Sequence, residues 1–201
     1  MRCLMKAAFL TLLLCAPARA QDAPAEVGKP APDFTLPDTD GKPVKLAALR
    51  GKTVVLEWFN PDCPFVKHAH GKGELLAMAA RHTKKGVVWL AINSGAPGKQ
   101  GHGVERNAKA RKEYALDHPV LIDENGKVGR AYGAKTTPQM FVIDAKGTVV
   151  YAGAIDNAPL GEIGGGKAHN YVEGALESLG QGKKIDPDKT KSYGCSVKYG
   201  G

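Results

Sequence analysis

A single cysteine, Cys63, stands where a thiol could act as a nucleophile. It follows the β-branched and aromatic run from Thr53 to Phe59, which predicts a buried strand, and it precedes Pro64, a residue favoured in the first turn of a helix. At a helix N-terminus a thiolate faces unpaired N–H groups and the positive end of the helix dipole, and both lower its pKa. The sequence therefore predicts a redox or nucleophilic thiol, with a buried and inert cysteine as the alternative.

The usual local partner of such a thiol is missing. In a CxxC pair the second cysteine would stand three residues on, where this chain has Val66. The distant Cys195 lies in a polar segment, residues 182–201, that we expect to form a mobile tail. Cys195 could return to Cys63 as a resolving thiol, and a permanent structural disulfide or a free tail thiol are the alternatives.

Residues 1–20 have the layout of a secretory signal peptide. A basic start precedes an apolar run from Ala7 to Cys15, and the small-x-small sequence that ends at Ala20 is a cleavage site. The run is shorter than the roughly 20 residues that a membrane span needs, so we expect export to a bacterial periplasm and no membrane span. Cleavage would remove Cys3 and Cys15 and would leave two cysteines in a compartment that allows disulfides.

The charge of the chain gives no indication of a nucleic-acid partner. The 201 residues carry a formal net charge of +8, and removal of residues 1–20 deletes three basic residues and no acidic one, which leaves +5. The lysines are scattered rather than grouped in a stripe, as is typical of a solvated surface. We therefore predict a protein that does not bind nucleic acid.

The order of predicted strands and helices indicates an α/β domain. The predicted elements are a hairpin over residues 33–36 and 44–46, strands at 53–59, 87–92, 120–122, 139–143 and 148–152, and helices at 64–83, 105–116, 127–132 and 168–179. Gly71 and Gly73 weaken the first helix and could break it. Strands that alternate with helices and end in a hairpin predict a mixed central sheet. We expect a flexible lead-in over residues 21–32, a domain over residues 33–181 and then the tail.

Three pieces of the chain resemble the thioredoxin superfamily. They are the strand at residues 54–59, Cys63-Pro64 at the helix start, and Thr137-Pro138 before the strand at 139–143. Within that superfamily the chain is most similar to exported peroxiredoxin-like redoxins, which keep the first cysteine, lack the second and carry a Gly-Cys-Ser tail. The resemblance implies a thioredoxin-like fold, a central mixed β-sheet flanked by helices with an N-terminal β-hairpin extension. The fold alone does not fix the reaction.

The resemblance also implies roles for residues beside Cys63. Glu57, a charge inside an apolar strand, would relay protons during exchange, and a glutamate that reaches solvent or pairs with a lysine is the alternative. The Thr137-Pro138 bond would be cis and would lie beside Cys63. The backbone before it would pair with an extended substrate strand.

Asn60 and Pro64 are further candidate substrate contacts, and Asn60 is also a departure from a related pattern. True peroxiredoxins place Thr or Ser three residues before the reactive cysteine, where this chain has Asn60, and a Pro further upstream, where it has Leu56. Asn60 could donate a hydrogen bond, but the usual peroxide-holding groups are absent. The pattern argues against efficient peroxide reduction.

Two histidines near Cys63 raise the alternative of a copper or zinc site. His68 and His70 follow Cys63 at spacings that would not place the three side chains on one helical face. We therefore predict no metal site and no cofactor. The remaining histidines are expected on the surface, namely His82, His102, His118 and His169.

The leading functional prediction is an exported thiol oxidoreductase with an antioxidant role. Cys63 would attack a protein disulfide or a peroxide, and Cys195 would resolve the intermediate. Glu57 would manage the proton, while Thr137 and Pro138 would hold the substrate backbone. Its partners would be that substrate and an electron-donating thiol protein. The alternatives are a copper-binding module and a non-catalytic thioredoxin-like domain locked by a structural disulfide.

Overall fold

The computed structural model describes residues 24–201, so the expected signal peptide and the start of the lead-in lie outside the described residues. In chain order the elements are β1 (Thr35–Pro37), β2 (Pro43–Lys45), a 3-10 helix (Leu46–Leu49), β3 (Val54–Trp58), α1 (Pro64–Gly71), α2 (Leu75–Lys84), β4 (Val88–Asn93), α3 (Val104–Glu113), β5 (Val120–Ile122), α4 (Lys127–Tyr132), β6 (Thr136–Thr137), β7 (Gln139–Ile143), β8 (Val149–Gly153), a second 3-10 helix (Pro159–Gly161), α5 (Tyr171–Gly180) and β9 (Cys195–Ser196). The predicted strands and helices are present, with the first helix divided in two, whereas β6 and β9 were not predicted. Within this part of the chain no helix is both long and apolar enough to cross a membrane.

Five strands form the central sheet, in the order β5-β4-β3-β7-β8. The middle strand, β3, runs parallel to β4 and antiparallel to β7, so that Leu56 lies between Leu90 and Phe141. All five residues of β3 are buried, as expected of a strand that is covered on both faces. Ahead of the sheet, β1 and β2 form the predicted N-terminal hairpin. The mixed α/β architecture predicted from the sequence is therefore confirmed.

Successive residues of β3 point to opposite faces of the sheet, and each face covers its own core. On one face Trp58 packs on Phe141, with ring centres 5.3 Å apart. On the other face Val55 belongs to a core that includes Ala69 of α1 and side chains of α2 and α5. Glu57, two residues after Val55, points to this second face, which the helix following Cys63 also covers.

The helix predicted over residues 64–83 is broken, as its two glycines allowed. The N–H groups of the two residues after Gly71 both bond to the carbonyl oxygen of His68 at 2.8 Å, and α1 ends there. A Cβ atom at Gly73 would lie 2.9 Å from the carbonyl oxygen of Ala69, so a side chain does not fit at this turn. The break limits α1 to eight residues.

The expectation of a mobile tail over residues 182–201 is wrong. Ile185 and Val197 are buried, and the N–H of Thr190 bonds to the carbonyl oxygen of Ala152 in β8 at 3.1 Å. The N–H of Val197 bonds to the residue that precedes β6 at 3.0 Å. The tail thus runs beside β8 and then beside β6, and the folded domain extends past its expected end. Its polar composition concealed this because most of these contacts are made by the backbone.

The lead-in also belongs to the folded domain over residues 24–32. The N–H of Gly28 bonds to the carbonyl oxygen of Val149 at 2.8 Å, and the N–H of Ala31 bonds to that of Gly147 at 2.9 Å. The expectation of a flexible segment is therefore wrong for this stretch, because its backbone pairs with the hairpin formed by β7 and β8.

We expect Phe141→Ala to lower the free energy of unfolding by about 3–5 kcal/mol, because it removes a buried ring and leaves a cavity against Trp58. Urea denaturation followed by tryptophan fluorescence measures the change. The control is Ile163→Ala, at a side chain that is 43% exposed, which should change stability by less than about 0.5 kcal/mol. Equal losses in the two variants would contradict this description of the core.

Candidate functional site

Cys63 lies immediately before α1, in the position that the sequence predicted. Pro64 is the first helical residue, and the N–H of Lys67 bonds to the carbonyl oxygen of Cys63 at 2.9 Å. The N–H of Cys63 in turn bonds to the carbonyl oxygen of Asn60 at 3.1 Å. The Cys63 side chain is fully buried, and Val66, at the place of the second cysteine of a CxxC pair, is buried in the same apolar cluster. Solvent therefore has no access to this thiol while the surrounding chain is in place.

The sulfur atom of Cys195 lies 2.8 Å from the sulfur atom of Cys63. Both residues are free cysteines, and Cys195 is the partly exposed one. The Cys63 thiol also donates to the carbonyl oxygen of Thr137 at 3.0 Å. The fold thus brings together two thiols that are 132 residues apart in the sequence.

The two thiols differ in how readily they ionise. Burial raises the pKa of Cys63, but the hydrogen bonds from Cys195 and from the backbone N–H of Val66 lower it by more, so that the net pKa lies below its ordinary value. Burial, together with the hydrogen bond to Cys63, raises the pKa of Cys195 to about 11. Cys63 is therefore the member that becomes a thiolate first, and Cys195 is the proton donor of the pair.

The Thr137-Pro138 peptide bond is cis, as the resemblance implied. Thr137 ends β6, and β6 pairs in antiparallel fashion with β9, so that Thr137 stands opposite Cys195. The backbone edge that was expected to hold an extended substrate is thus occupied by the tail of the same chain. This pairing positions Cys195 beside Cys63.

Glu57 is fully buried, and its partner is His70 rather than a lysine or solvent. Its Oε1 lies 2.7 Å from Nε2 of His70, and the indole Nε1 of Trp89 donates to its Oε2 at 3.5 Å. Burial raises the pKa of Glu57, but the charge and hydrogen bond of His70 lower it by more, with further lowering by His118 and Trp89. The net pKa lies below that of an ordinary glutamate, so Glu57 is ionised at neutral pH.

His70 connects Glu57 with the loop that carries Cys63. Its ring stacks on that of Tyr114, with ring centres 5.7 Å apart, and the Tyr114 hydroxyl donates to the carbonyl oxygen of Pro61 at 2.7 Å. Nδ1 of His70 is buried and has no hydrogen-bond partner among the described residues. The sequence suggests His70 only as an alternative metal ligand, because a contact between a strand residue and a helix residue 13 positions later has no sequence signature.

Asn60 shapes the loop before Cys63. It is buried, its Oδ1 accepts from the N–H of Asp62 at 2.9 Å, and its Nδ2 donates to the carbonyl oxygen of Gln100 at 3.3 Å. Both ends of the amide are engaged, so Asn60 would have to give up a bond in order to contact a substrate. Pro64, the other flanking candidate, is exposed in the first turn of α1.

An ion pair that no sequence motif predicts flanks the same loop. Nη2 and Nε of Arg106 lie 2.8 Å and 3.1 Å from Oδ1 of Asp62, the residue before Cys63. Partial burial lowers the pKa of Arg106, but Asp62 raises it by more, so the guanidinium stays charged. No motif indicates this residue, since only the packing of α3 brings it to the loop.

Two of the histidines expected on the surface are buried. His82 and His118 are each 5% exposed. Nε2 of His82 lies 2.8 Å from Oε1 of Glu173, and burial lowers the pKa of His118 to about 4 against the opposing charge of Glu57. Among residues 24–201, no three His, Cys, Asp or Glu side chains are grouped so that they could hold a metal ion.

A cleft of about 380 Å³ opens between α1 and the segment that joins β8 to α5. Phe65 and Tyr193, which are near neighbours in sequence of the two cysteines, line it with ring centres 5.9 Å apart. The Tyr193 hydroxyl donates to Oδ1 of Asp156 at 2.6 Å. The cleft therefore adjoins the segment that carries Cys195.

Comparison with known sequences points to thiol chemistry. The sequence model of the family described as Redoxin matches residues 26–162. The chain is 33% identical over 156 residues to a protein named thiol-disulfide oxidoreductase ResA from Geobacillus thermodenitrificans (strain NG80-2), and the match covers 74% of this chain and 84% of that protein.

Comparison with solved structures supports the fold. An uncharacterized conserved protein from Geobacillus kaustophilus is similar with a TM-score of 0.77 and 32% identity, over 87% of this chain and 93% of that chain. A putative thiol:disulfide interchange protein DsbE from Chlorobium tepidum is similar with a TM-score of 0.54 and 28% identity, over 64% of this chain and 84% of that chain. With the sheet order described above, these likenesses show the thioredoxin-like fold.

We expect His70→Leu to destabilise the protein by about 3–5 kcal/mol at neutral pH, because it leaves the Glu57 carboxylate buried without its partner. The folded pKa of Glu57 is depressed, so the stability that this pair contributes is present above the ordinary glutamate pKa and is lost as the pH falls through the lower folded pKa. The difference between variant and wild type should therefore shrink below about pH 4.5. Urea denaturation at a series of pH values measures it.

The matched control is His68→Leu, which changes a partly exposed histidine on the same helix. It should alter the free energy of unfolding by less than about 0.5 kcal/mol at each pH. A loss in His70→Leu that stays the same from neutral to acidic pH would show that Glu57 is not the ionised partner.

Proposed function

Because this chain belongs to the redoxin family and is a thiol-dependent oxidoreductase, we propose that it catalyses thiol-disulfide exchange with Cys63 as the nucleophile and Cys195 as the resolving thiol. The observation that carries the proposal is the 2.8 Å contact between the two sulfur atoms, in which Cys63 has the lowered pKa and Cys195 the raised one. The similarity to proteins named for thiol-disulfide oxidoreduction and interchange supports the same reaction class.

The proposed exchange runs in two steps. The Cys63 thiolate attacks one sulfur of a client disulfide, whose S–S bond breaks as the bond to Cys63 forms, and the other client sulfur leaves as a thiolate. Cys195 then loses its proton and attacks the Cys63 sulfur, so the mixed disulfide breaks and the second client sulfur leaves. The client gains the two electrons that the Cys63–Cys195 pair loses. An electron-donating thiol protein would restore the pair by the reverse exchange.

Glu57 and His70 are proposed to manage protons for this exchange. The role rests on a buried carboxylate that His70 keeps ionised, and on Nδ1 of His70, which is buried and unbonded within the described chain. A nitrogen in that position can accept or donate a proton without first losing another hydrogen bond. Tyr114 contacts both the His70 ring and the Pro61 carbonyl oxygen, so it connects His70 to the loop that carries Cys63.

The proposed client contacts are the backbone of Thr137 beside Pro138 and the exposed ring of Pro64. The support is that Thr137 offers an edge strand whose opposite residue is a cysteine in contact with Cys63. Asn60 takes a supporting part, because its amide holds the loop before Cys63. A client cysteine in an extended segment would therefore approach Cys63 along the same edge.

The proposed place of action is outside the cytoplasm, in a bacterial periplasm. The support is the charged start, short apolar run and small-x-small site of residues 1–20, together with a cysteine pair suited to an oxidising compartment. The physiological reductant would then be another exported thiol protein.

Peroxide reduction, and with it an antioxidant role, is the less supported use of the same thiol. A peroxide would convert Cys63 to a sulfenic acid. The Cys195 thiol would then attack this sulfur, which would form a disulfide and release water. The Asn60 amide, which replaces the usual hydroxyl of peroxiredoxins, is already bonded at both ends. Disulfide exchange needs no such donor and is therefore the reaction we favour.

We expect Cys63→Ser to abolish the protein's acceleration of insulin reduction by dithiothreitol above the uncatalysed rate, because no other described thiol has a lowered pKa. Cys195→Ser should slow turnover roughly 100-fold while still allowing the first attack, so that a Cys63–client mixed disulfide accumulates when the reduced protein meets insulin without dithiothreitol. Turbidity reports turnover, and mass spectrometry under non-reducing conditions identifies the trapped bond.

The control is Lys191→Ser, an exposed residue of the same tail, which should retain wild-type turnover. Full activity in Cys63→Ser would overturn the proposal. A Cys63–Cys195 bond that resists glutathione in the folded protein would indicate a structural lock instead, and a stoichiometric copper complex without turnover would indicate a binding module.

A further inference from the structure

The inference rests on the proposed function and concerns what the client edge accepts. The edge consists of Thr136 and Thr137, the two residues of β6, which pair with Ser196 and Cys195 of β9. Cys63 lies directly behind this pairing, in contact with the carbonyl oxygen of Thr137 and with the Cys195 sulfur. The tail strand therefore holds the position and orientation that a client strand would need.

The tail is held on both sides of Cys195. Before it, the Tyr193 hydroxyl donates to Asp156 at 2.6 Å. After it, the Tyr199 hydroxyl donates to the carbonyl oxygen of Ala134 at 2.8 Å, and the guanidinium of Arg130 lies 4.7 Å from the centre of the Tyr199 ring. The segment 193–199 is thus docked as an ordered strand by non-covalent contacts at both ends.

Gly194, the residue before Cys195, is held against the edge in a way that excludes a side chain. Its φ of +125° lies in a region that residues with a Cβ atom rarely adopt, and an added Cβ would overlap the carbonyl oxygen of Thr137. The next nearest atom to such a Cβ is the carbonyl carbon of the same residue, at 2.8 Å, so the obstacle is backbone and cannot move aside as a side chain would. A strand that follows the backbone path of the tail along this edge therefore needs glycine at this position.

Access to Cys63 depends on the same segment. Cys63 is fully buried while Cys195 is only partly exposed, so an incoming sulfur must take the place of the Cys195 sulfur. An extended client strand on Thr136 and Thr137 would form the same backbone pairing that β9 forms now. Client and tail therefore compete for one site.

From these contacts we propose that the Thr136–Thr137 edge is a docking site for an extended polypeptide segment with glycine immediately before its reactive cysteine, and that residues 194–196 of the chain itself occupy this site until a client displaces them. The cleft lined by Phe65 and Tyr193 receives the side chain that precedes the client glycine, as it now receives Tyr193.

Two peptides test the glycine requirement. One copies residues 192–199 with its cysteine joined to thionitrobenzoate as a mixed disulfide, and the other also carries the Gly194→Ala change. The Cys63 thiolate attacks the peptide sulfur, the bond to thionitrobenzoate breaks, and the coloured thiolate leaves with the electron pair. The protein carries Cys195→Ser so that the adduct persists, and mass spectrometry of the digested protein assigns it to Cys63. The glycine peptide should react at least tenfold faster.

Protein variants test the competition by the tail. Gly194→Ala in the protein prevents its own tail from seating, so the glycine peptide should react at least tenfold faster than with the Cys195→Ser parent. Gly201→Ala, where an added Cβ meets nothing within 4 Å, is the matched control and should react within twofold of the parent. Tyr199→Phe removes one tail hydrogen bond of about 1 kcal/mol and should raise the rate of reaction with the glycine peptide about fivefold. This variant tests the competition if Gly194→Ala does not fold.

The outcomes separate this proposal from the function on which it rests. The docking proposal is overturned if the two peptides react at equal rates, or if neither Gly194→Ala nor Tyr199→Phe accelerates the reaction. In that case a reaction of Cys63 with the small disulfide DTNB still leaves the proposed function standing. If Cys63 reacts with neither peptide nor DTNB in any folded variant, the proposed function fails and the docking proposal fails with it.

Discussion

The pairing of β6 with β9 is the contact on which the reactive pair depends. Two residues on each side bring Cys195 opposite Thr137. Thr137 is joined to Pro138 by the cis peptide bond and lies beside Cys63. Without this short ladder, Cys195 would be one thiol on a polar segment and Cys63 would be a buried cysteine with no second sulfur. The pairing supplies the hydrogen bond that lowers the pKa of Cys63, and at the same time it closes the surface through which Cys63 could be reached.

The second constraint is the carboxylate of Glu57 inside the sheet. A buried charge is tolerated only with a partner, and His70 supplies that partner from α1, the same helix that begins after Cys63. The turn at Gly73 matters here, because it ends α1 directly after His70 and allows the following chain to turn away. Tyr114 then joins His70 to the loop at Pro61. One short helix and its flanking loop thereby hold the histidine and the reactive thiol against the acid on β3.

Sequence reasoning succeeded where the signal was local. The apolar run ending at Phe59, the proline after Cys63 and the glycines at 71 and 73 predicted β3, the start of α1 and its break, and each was found. It failed where the determinant was a non-local backbone contact, as in the docking of residues 182–201, whose polar composition indicated a mobile tail. The partnership of Glu57 with His70, the Asp62–Arg106 pair and the burial of His82 and His118 have no local signal either, since each depends on how separate elements pack.

Moving the second thiol from the usual neighbouring position to the tail changes what oxidation does to the fold. Loop-closure entropy grows by about 0.6 kcal/mol for each doubling of loop length, so a bridge across 132 residues constrains the unfolded chain by roughly 3 kcal/mol more than one across three residues. Under the proposed function, oxidation therefore fastens the tail over the client edge and stabilises the whole domain, whereas reduction leaves the tail held by hydrogen bonds and ring contacts alone. A disulfide reductase needs its edge open only when Cys63 is reduced. Because the resolving cysteine lies on the strand that occupies that edge, the bond that ends a catalytic cycle also closes the client site. The site then stays closed until a reductant breaks the bond.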